Sequence, residues 1–253
     1  MPTEGVHISP GGKKTFIPLE NNPAVFTSLV HDLGVSQELC FYDVYSVQDA
    51  NVLSQASRPA LALIFITPPD IYRAVRADDG LAKPAGDALT YDKSGSSEPV
   101  MWFRQTIGNA CGLIALLHCV ANGEAARLIK PGSDLQALLE RLAPLKPTPR
   151  AAALYDSVEL ERAHMRAARL GDTAAPRAEE HVAHHFLAFV KGKDGHLWEL
   201  EGSVDGPIDR GELGDGEDLL SDRALDLGVR RFLKHAAGNL EFSLVALAKR
   251  PAE

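Results

Sequence analysis

Three cysteines in 253 residues are too few for a disulfide framework, and Cys40 and Cys119 fall in the apolar patterns of a strand and a helix. Reduced thiols in a cytosolic setting are the simplest expectation. No apolar run approaches the roughly 20 residues of a membrane-spanning helix, and residues 1–15 lack the apolar stretch of a signal peptide. The expected location is therefore the cytoplasm, with the nucleus also open. There is no internal repeat and no dense Lys/Arg stripe, and the net charge is -8. Nucleic acid and anionic membranes are thus not expected partners, whereas a basic protein surface would match the charge. No Cys-x-x-Cys pair occurs, and the cluster His181, His184 and His185 lacks further ligands at zinc-finger spacing, so neither metal nor cofactor is called for.

What is present is a globular composition, with 45% hydrophobic and 24% charged residues, enough for one substantial core. We expect a single domain over residues 1–253, flexible over 1–15, and a monomer. Phe16 to Glu20 reads as a short edge strand. Asn22 and Pro23 open a helix that Gly34 stops. Cys40 to Tyr45 reads as a strand, and the continuous apolar run Ala60 to Thr67 as a central strand buried on both faces. A short helix from Asp70 to Arg76 leads into a polar loop, Asp78 to Pro99. Ser133 caps a helix over Asp134 to Leu142, and another begins near Thr148. Asp156 to Glu180 reads as a helix fraying into a mobile crossing segment. Strands at His184 to Lys191 and His196 to Gly202, a helix from Asp222 to Ala236 and a strand from Phe242 to Ala248 complete about six strands and six or seven helices.

The stretch 105–123 carries the first chemical signal. A polar turn ends at Cys111, where an Ala/Leu-rich helix begins, placing one thiol at the positive end of a helix. Unpaired N–H groups there favour thiolate over thiol, as a cysteine nucleophile requires. On this stretch alone Cys111 reads either as a nucleophile or as a small buried hydrophobe.

A nucleophile needs a base and a group that orients it. A three-residue loop, Lys193-Asp194-Gly195, with Gly195 left-handed, sets Gly192 opposite His196. His185 then lies opposite Ser203 and Leu187 opposite Glu201, so His185 and Glu201 share one face as diagonal neighbours. Backbones at such positions are about 7 to 8 Å apart, a gap an imidazole and a carboxylate can close. The alternative is a half-buried strand histidine beside a surface charge.

The residues Gln105-Thr106-Ile107-Gly108-Asn109-Ala110-Cys111-Gly112 resemble the active-site signature of the ubiquitin carboxyl-terminal hydrolases, the UCH family of cysteine proteases (peptidase C12). His185-Phe186-Leu187 and Trp198-Glu199-Leu200-Glu201-Gly202 are similar to its histidine and acid strands. Pro18 to Pro23, Phe41 to Tyr45 and Phe242 to Leu247 extend the likeness across the chain. The resemblance implies an α+β fold with a central antiparallel sheet flanked by helices, papain-related and knotted. It implies Cys111 as nucleophile, His185 as general base and acid, Gln105 as oxyanion donor and Glu201 in the acid position. The family usually has Asp there, in Leu-Asp-Gly-Arg, where this chain has Leu200-Glu201-Gly202-Ser203. Glu201 keeps the charge with one more methylene, Ser203 removes any salt bridge from that position, and Asp205 and Asp209 rank below Glu201 as substitutes.

By the same resemblance, residues 156–180 take the place of a crossover loop over the active site. The expected substrates are small or unfolded adducts on the C-terminal glycine of ubiquitin, with Nedd8 as an alternative and a non-catalytic ubiquitin-binding module as another. The chain stops soon after its last strand, so a free-standing catalytic domain is expected rather than a longer proteasome-associated form.

Overall fold

In the computed structural model, which describes residues 3–81, 89–174, 176, 178 and 185–251, local capping chemistry sets several element boundaries. Two short strands, β1 (His7–Ile8) and β2 (Lys14–Thr15), form an antiparallel hairpin within the expected flexible lead. The strand expected at Phe16 to Glu20 is instead irregular, with the Phe16 N–H donated to the Gly108 carbonyl in an isolated bridge. Helix α1 (Pro23–Leu33) starts where the Asn22 side chain accepts the Ala24 N–H at 2.9 Å, and ends at Gly34, whose φ of 99° suits glycine. Strand β3 (Leu39–Asp43), short helix α2 (Ala50–Leu53), strand β4 (Ala60–Thr67) and helix α3 (Pro69–Asp78) follow.

Beyond the polar loop lie α4 (Cys111–Val120), α5 (Asp134–Leu142), α6 (Pro147–Tyr155) and α7 (Val158–Ala167). The second half of the chain contributes β5 (His185–Lys191), β6 (His196–Leu200), β7 (Ile208–Glu212), α8 (Asp222–Leu227), α9 (Val229–Leu233) and β8 (Ser243–Lys249).

Six strands form one antiparallel sheet in the order β3-β8-β4-β5-β6-β7. Side-chain alternation divides the core between its faces. Ala62, Ile64 and Ile66 of β4 join the cluster that holds α1, α4 and α7, while Leu63 and Phe65 join Tyr72 and Val75 of α3 and Phe232 of α9. Helix α4 is apolar all round, with every residue from Gly112 to Val120 buried. Each leucine so buried contributes about 1.5–3 kcal/mol, which holds the helix rigidly against the sheet. The class is therefore mixed α and β, with a six-stranded antiparallel sheet flanked by helices, as the sequence led us to expect.

The helix expected at the start of 156–180 is α7, residues 158–167, capped by Ser157 and burying Leu160, Ala163, His164, Met165 and Ala167. Two other elements differ from the expectation. The helix expected over 222–236 breaks at Gly228, with φ -109° and ψ -104°, into α8 and α9. Edge strand β7 went unread because Asp209, Arg210 and Gly211 carry little strand preference.

Candidate active site

Cys111 occupies the first turn of α4, as its sequence position required. Unlike α1, α5, α7 and α8, this helix has no side-chain cap: its N-cap is Ala110. The first-turn N–H groups are thus left for a thiolate or a bound oxygen. The approach to them is fixed by the hairpin, since Gly108 donates its N–H to Lys14 at 2.9 Å and accepts that of Phe16 at 2.9 Å. A Cβ on Gly108 would stand 2.7 Å from Thr15 Oγ1, so only glycine fits there.

The thiol itself departs from expectation. N–H groups of Gly112, Phe186 and Cys111 favour the thiolate, but burial outweighs them and, with the nearby Glu201 carboxylate, pushes the thiol up to about 11. Desolvation thus favours the neutral thiol, from which a base takes the proton during attack.

Gln105 lies six positions earlier. Its main-chain N–H donates to the Gly202 carbonyl at 2.8 Å, and its side-chain Nε2 donates to the Ile107 carbonyl at 3.1 Å. The second Nε2 proton is not used by that bond. Trp102 Nε1 donates to the Glu201 carbonyl at 2.9 Å. Two bonds thus tie the polypeptide ahead of Cys111 to the residues that follow β6.

The β5–β6 register is the one the three-residue loop dictates. Gly195 has φ 82°, Gly192 donates to His196 at 2.8 Å, and the pairs run from Lys191 with Leu197 to Ala188 with Leu200. Extending the register one step places Leu187 opposite Glu201. On the other side of β5, Thr67 pairs with His185. Glu201 is 2% exposed and its carboxylate accepts three hydrogen bonds: from the Ser203 N–H at 2.8 Å, the Ser203 hydroxyl at 2.6 Å and the Tyr72 hydroxyl at 3.0 Å. The His185 ring packs on the Tyr72 ring, with centroids 4.5 Å apart and planes at 40°. Among the described residues no hydrogen bond joins His185 to Glu201; the two meet through Tyr72.

Tyr72 is the site residue that the sequence reading passed over. Its signal was positional: α3 begins two residues after the end of the central strand, beside the strand that carries His185. Asp205 and Asp209 are engaged elsewhere, Asp205 with the N–H groups of Thr90 and Tyr91 and the Thr90 hydroxyl, Asp209 with His196. His181 and His184 lie outside the described residues. Of the expected crossing segment, residues 172–173 are held by Glu20, which accepts the Asp172 and Thr173 N–H groups and the Thr173 hydroxyl. Those Thr173 bonds hold the Glu20 carboxyl down to about 2. Further on, Asn109 Nδ2 donates to the Ala178 carbonyl at 2.9 Å, so the chain passes two residues from Cys111 in sequence.

A capless helix start bearing a thiol, a glutamine six residues ahead, and a histidine–acid hairpin constitute the equipment of a thiol hydrolase. The family described as ubiquitin carboxyl-terminal hydrolase, family 1 (peptidase C12), matches residues 16–233. The chain belongs to this family. It is thereby a cysteine-type ubiquitin hydrolase. A ubiquitin carboxyl-terminal hydrolase of Aplysia californica is 35% identical over 199 residues, covering 79% of this chain and 87% of that one. A probable member from Dictyostelium discoideum is 32% identical over 243 residues, covering 95% and 91%. The Trichinella spiralis UCH37 catalytic domain, solved bound to ubiquitin vinyl methyl ester, has a TM-score of 0.68 at 18% identity, covering 93% of this chain and 95% of that one. That likeness extends the family assignment to the fold.

Proposed function

We propose that this hydrolase cleaves small or unfolded adducts from the C-terminal glycine of ubiquitin, with Cys111 as nucleophile, His185 as base and acid, Glu201 orienting His185, and Gln105 with the Cys111 N–H receiving the oxyanion. The observation that carries the reading is the family match across 16–233, which includes all four residues. The uncapped start of α4 and the fixed approach through Gln105 support it.

Desolvation favours the neutral Cys111 thiol, so His185 takes its proton as Sγ adds to the glycine carbonyl, and the carbonyl oxygen becomes negative. The second Nε2 proton of Gln105 and the Cys111 N–H would receive that oxygen, and one such donor is worth about 3–4 kcal/mol in comparable sites. The imidazolium then protonates the leaving amine, giving a thioester. Water, losing one proton to His185, adds to the thioester; Cys111 takes that proton back from His185 and leaves as thiol, and the ubiquitin carboxylic acid gives its remaining proton to solvent and departs as a carboxylate. Glu201 stabilises the imidazolium formed in each half-reaction. The ubiquitin-bound state of the Trichinella neighbour supports ubiquitin as partner, and the acidic balance suits a basic partner surface.

The test compares hydrolysis of ubiquitin and Nedd8 carrying a C-terminal fluorogenic group. Release from ubiquitin that Cys111→Ala abolishes supports the reading. Preference for Nedd8 would move the substrate, and ubiquitin binding without release would make the chain a binding module.

A further inference from the structure

Glu201 carries one more methylene than the aspartate usual at this position, and so one more torsion to fix before its carboxylate can serve His185. The chain supplies two hydroxyls for that purpose, those of Tyr72 and Ser203, both on Oε2 at 3.0 and 2.6 Å. Among the described residues Oε1 receives only the Ser203 N–H, at 2.8 Å. An ionised carboxylate oxygen has two lone pairs, so Oε1 keeps acceptor capacity. Burial, and then the Glu201 charge, push the Tyr72 phenol far up, so it donates at any working pH.

Tyr72 is itself held. Its residue is 7% exposed, and the buried Arg76 guanidinium lies 5.0 Å from its ring centroid. Arg76 is fixed in turn by Glu199 at 2.7 Å and Asp79 at 3.3 Å. The His185 ring rests against the same tyrosine. One buried aromatic thus touches the general base with its face and the orienting acid with its hydroxyl.

We propose that Tyr72 is a positioning residue of the active site: with Ser203 it pins Glu201 through Oε2, leaving Oε1 to accept the His185 N–H, while its ring holds the imidazole plane. The inference rests on the function proposed above. A glutamate anchored in this way can replace aspartate because the tyrosine removes the freedom that the added methylene brings.

The experiment measures kcat and KM on a ubiquitin fluorogenic conjugate for the unmodified protein, Tyr72→Phe, Ser203→Ala, and each combined with Glu201→Ala. Tyr72→Phe keeps the ring and removes only the hydroxyl, and kcat should fall about tenfold with KM within about twofold, as loss of one hydrogen bond to a charged group implies. Ser203→Ala should act in the same direction, and it decides the matter if Tyr72→Phe does not fold. Both losses should vanish in the Glu201→Ala background, because the hydroxyls act through that carboxylate. A general structural role would instead lower kcat equally in both backgrounds, and that result, or an unchanged or raised kcat in Tyr72→Phe, overturns the assignment. If the unmodified protein releases nothing, the proposed function falls and this inference with it; if it is active and Tyr72→Phe matches it, only this inference falls.

Discussion

Gln105 and Gly202 are joined main chain to main chain: the Gln105 N–H donates to the Gly202 carbonyl at 2.8 Å, and a Cβ on residue 202 would stand 2.8 Å from Gln105 Cβ and 2.9 Å from its nitrogen. Gly202 is therefore a spacer that lets the Gln105 loop approach the end of β6. Gly202→Ala should push the two apart, at about 1–3 kcal/mol for overpacking. We expect turnover to fall at least tenfold, with a smaller change in urea midpoint than a core truncation gives. Steady-state kinetics beside urea unfolding checks this.

Gln105→Ala leaves the main-chain bond to Gly202 in place and removes only the amide. Its kcat should fall about 100- to 1,000-fold with little change in KM, the signature of an interaction made in the transition state. An equal rise in KM would assign the side chain to substrate binding instead.

Glu201→Ala strands the Tyr72 hydroxyl, a buried donor that the carboxylate now satisfies. Thermal unfolding should show a loss of about 1–3 kcal/mol, accompanied by a fall in turnover. Glu201→Asp keeps the charge and should retain much more turnover than Glu201→Ala. Equal turnover in Glu201→Ala and the unmodified protein would place the orienting role on another group.

The half-buried Cys111 thiol, pushed up to about 11, makes a prediction about pH. Thiolate is the reactive form, so alkylation by iodoacetamide in the free protein should rise about tenfold per pH unit from pH 7 to 9. A rate already flat across that range would reveal a thiolate–imidazolium pair at rest. Mass-spectrometric quantification of modified Cys111 distinguishes the two.

Much of this arrangement was legible because it is written locally. Asn22-Pro23 with Gly34 marked α1, Ser133 marked α5, and the loop Lys193-Asp194-Gly195 set the register that carries His185 and Glu201. Each rests on turn or cap chemistry within a few residues. What escaped depends on segments far apart in sequence. The helix start at Cys111 argued for a depressed thiol, but desolvation by packed neighbours outweighs the N–H groups. Tyr72 reads as an ordinary apolar position of α3 until the sheet brings it to β5 and the end of β6.

The central claim is that Cys111 attacks the C-terminal glycine of ubiquitin with His185 as its base. Ubiquitin bearing a C-terminal vinyl methyl ester tests it most directly, with intact mass and peptide mapping of the product. The account predicts a single adduct on Cys111, absent in Cys111→Ala and formed at least about 100-fold more slowly in His185→Ala, within the range of general-base catalysis. Ubiquitin binding without an adduct, or an adduct on Cys40 or Cys119, would contradict it.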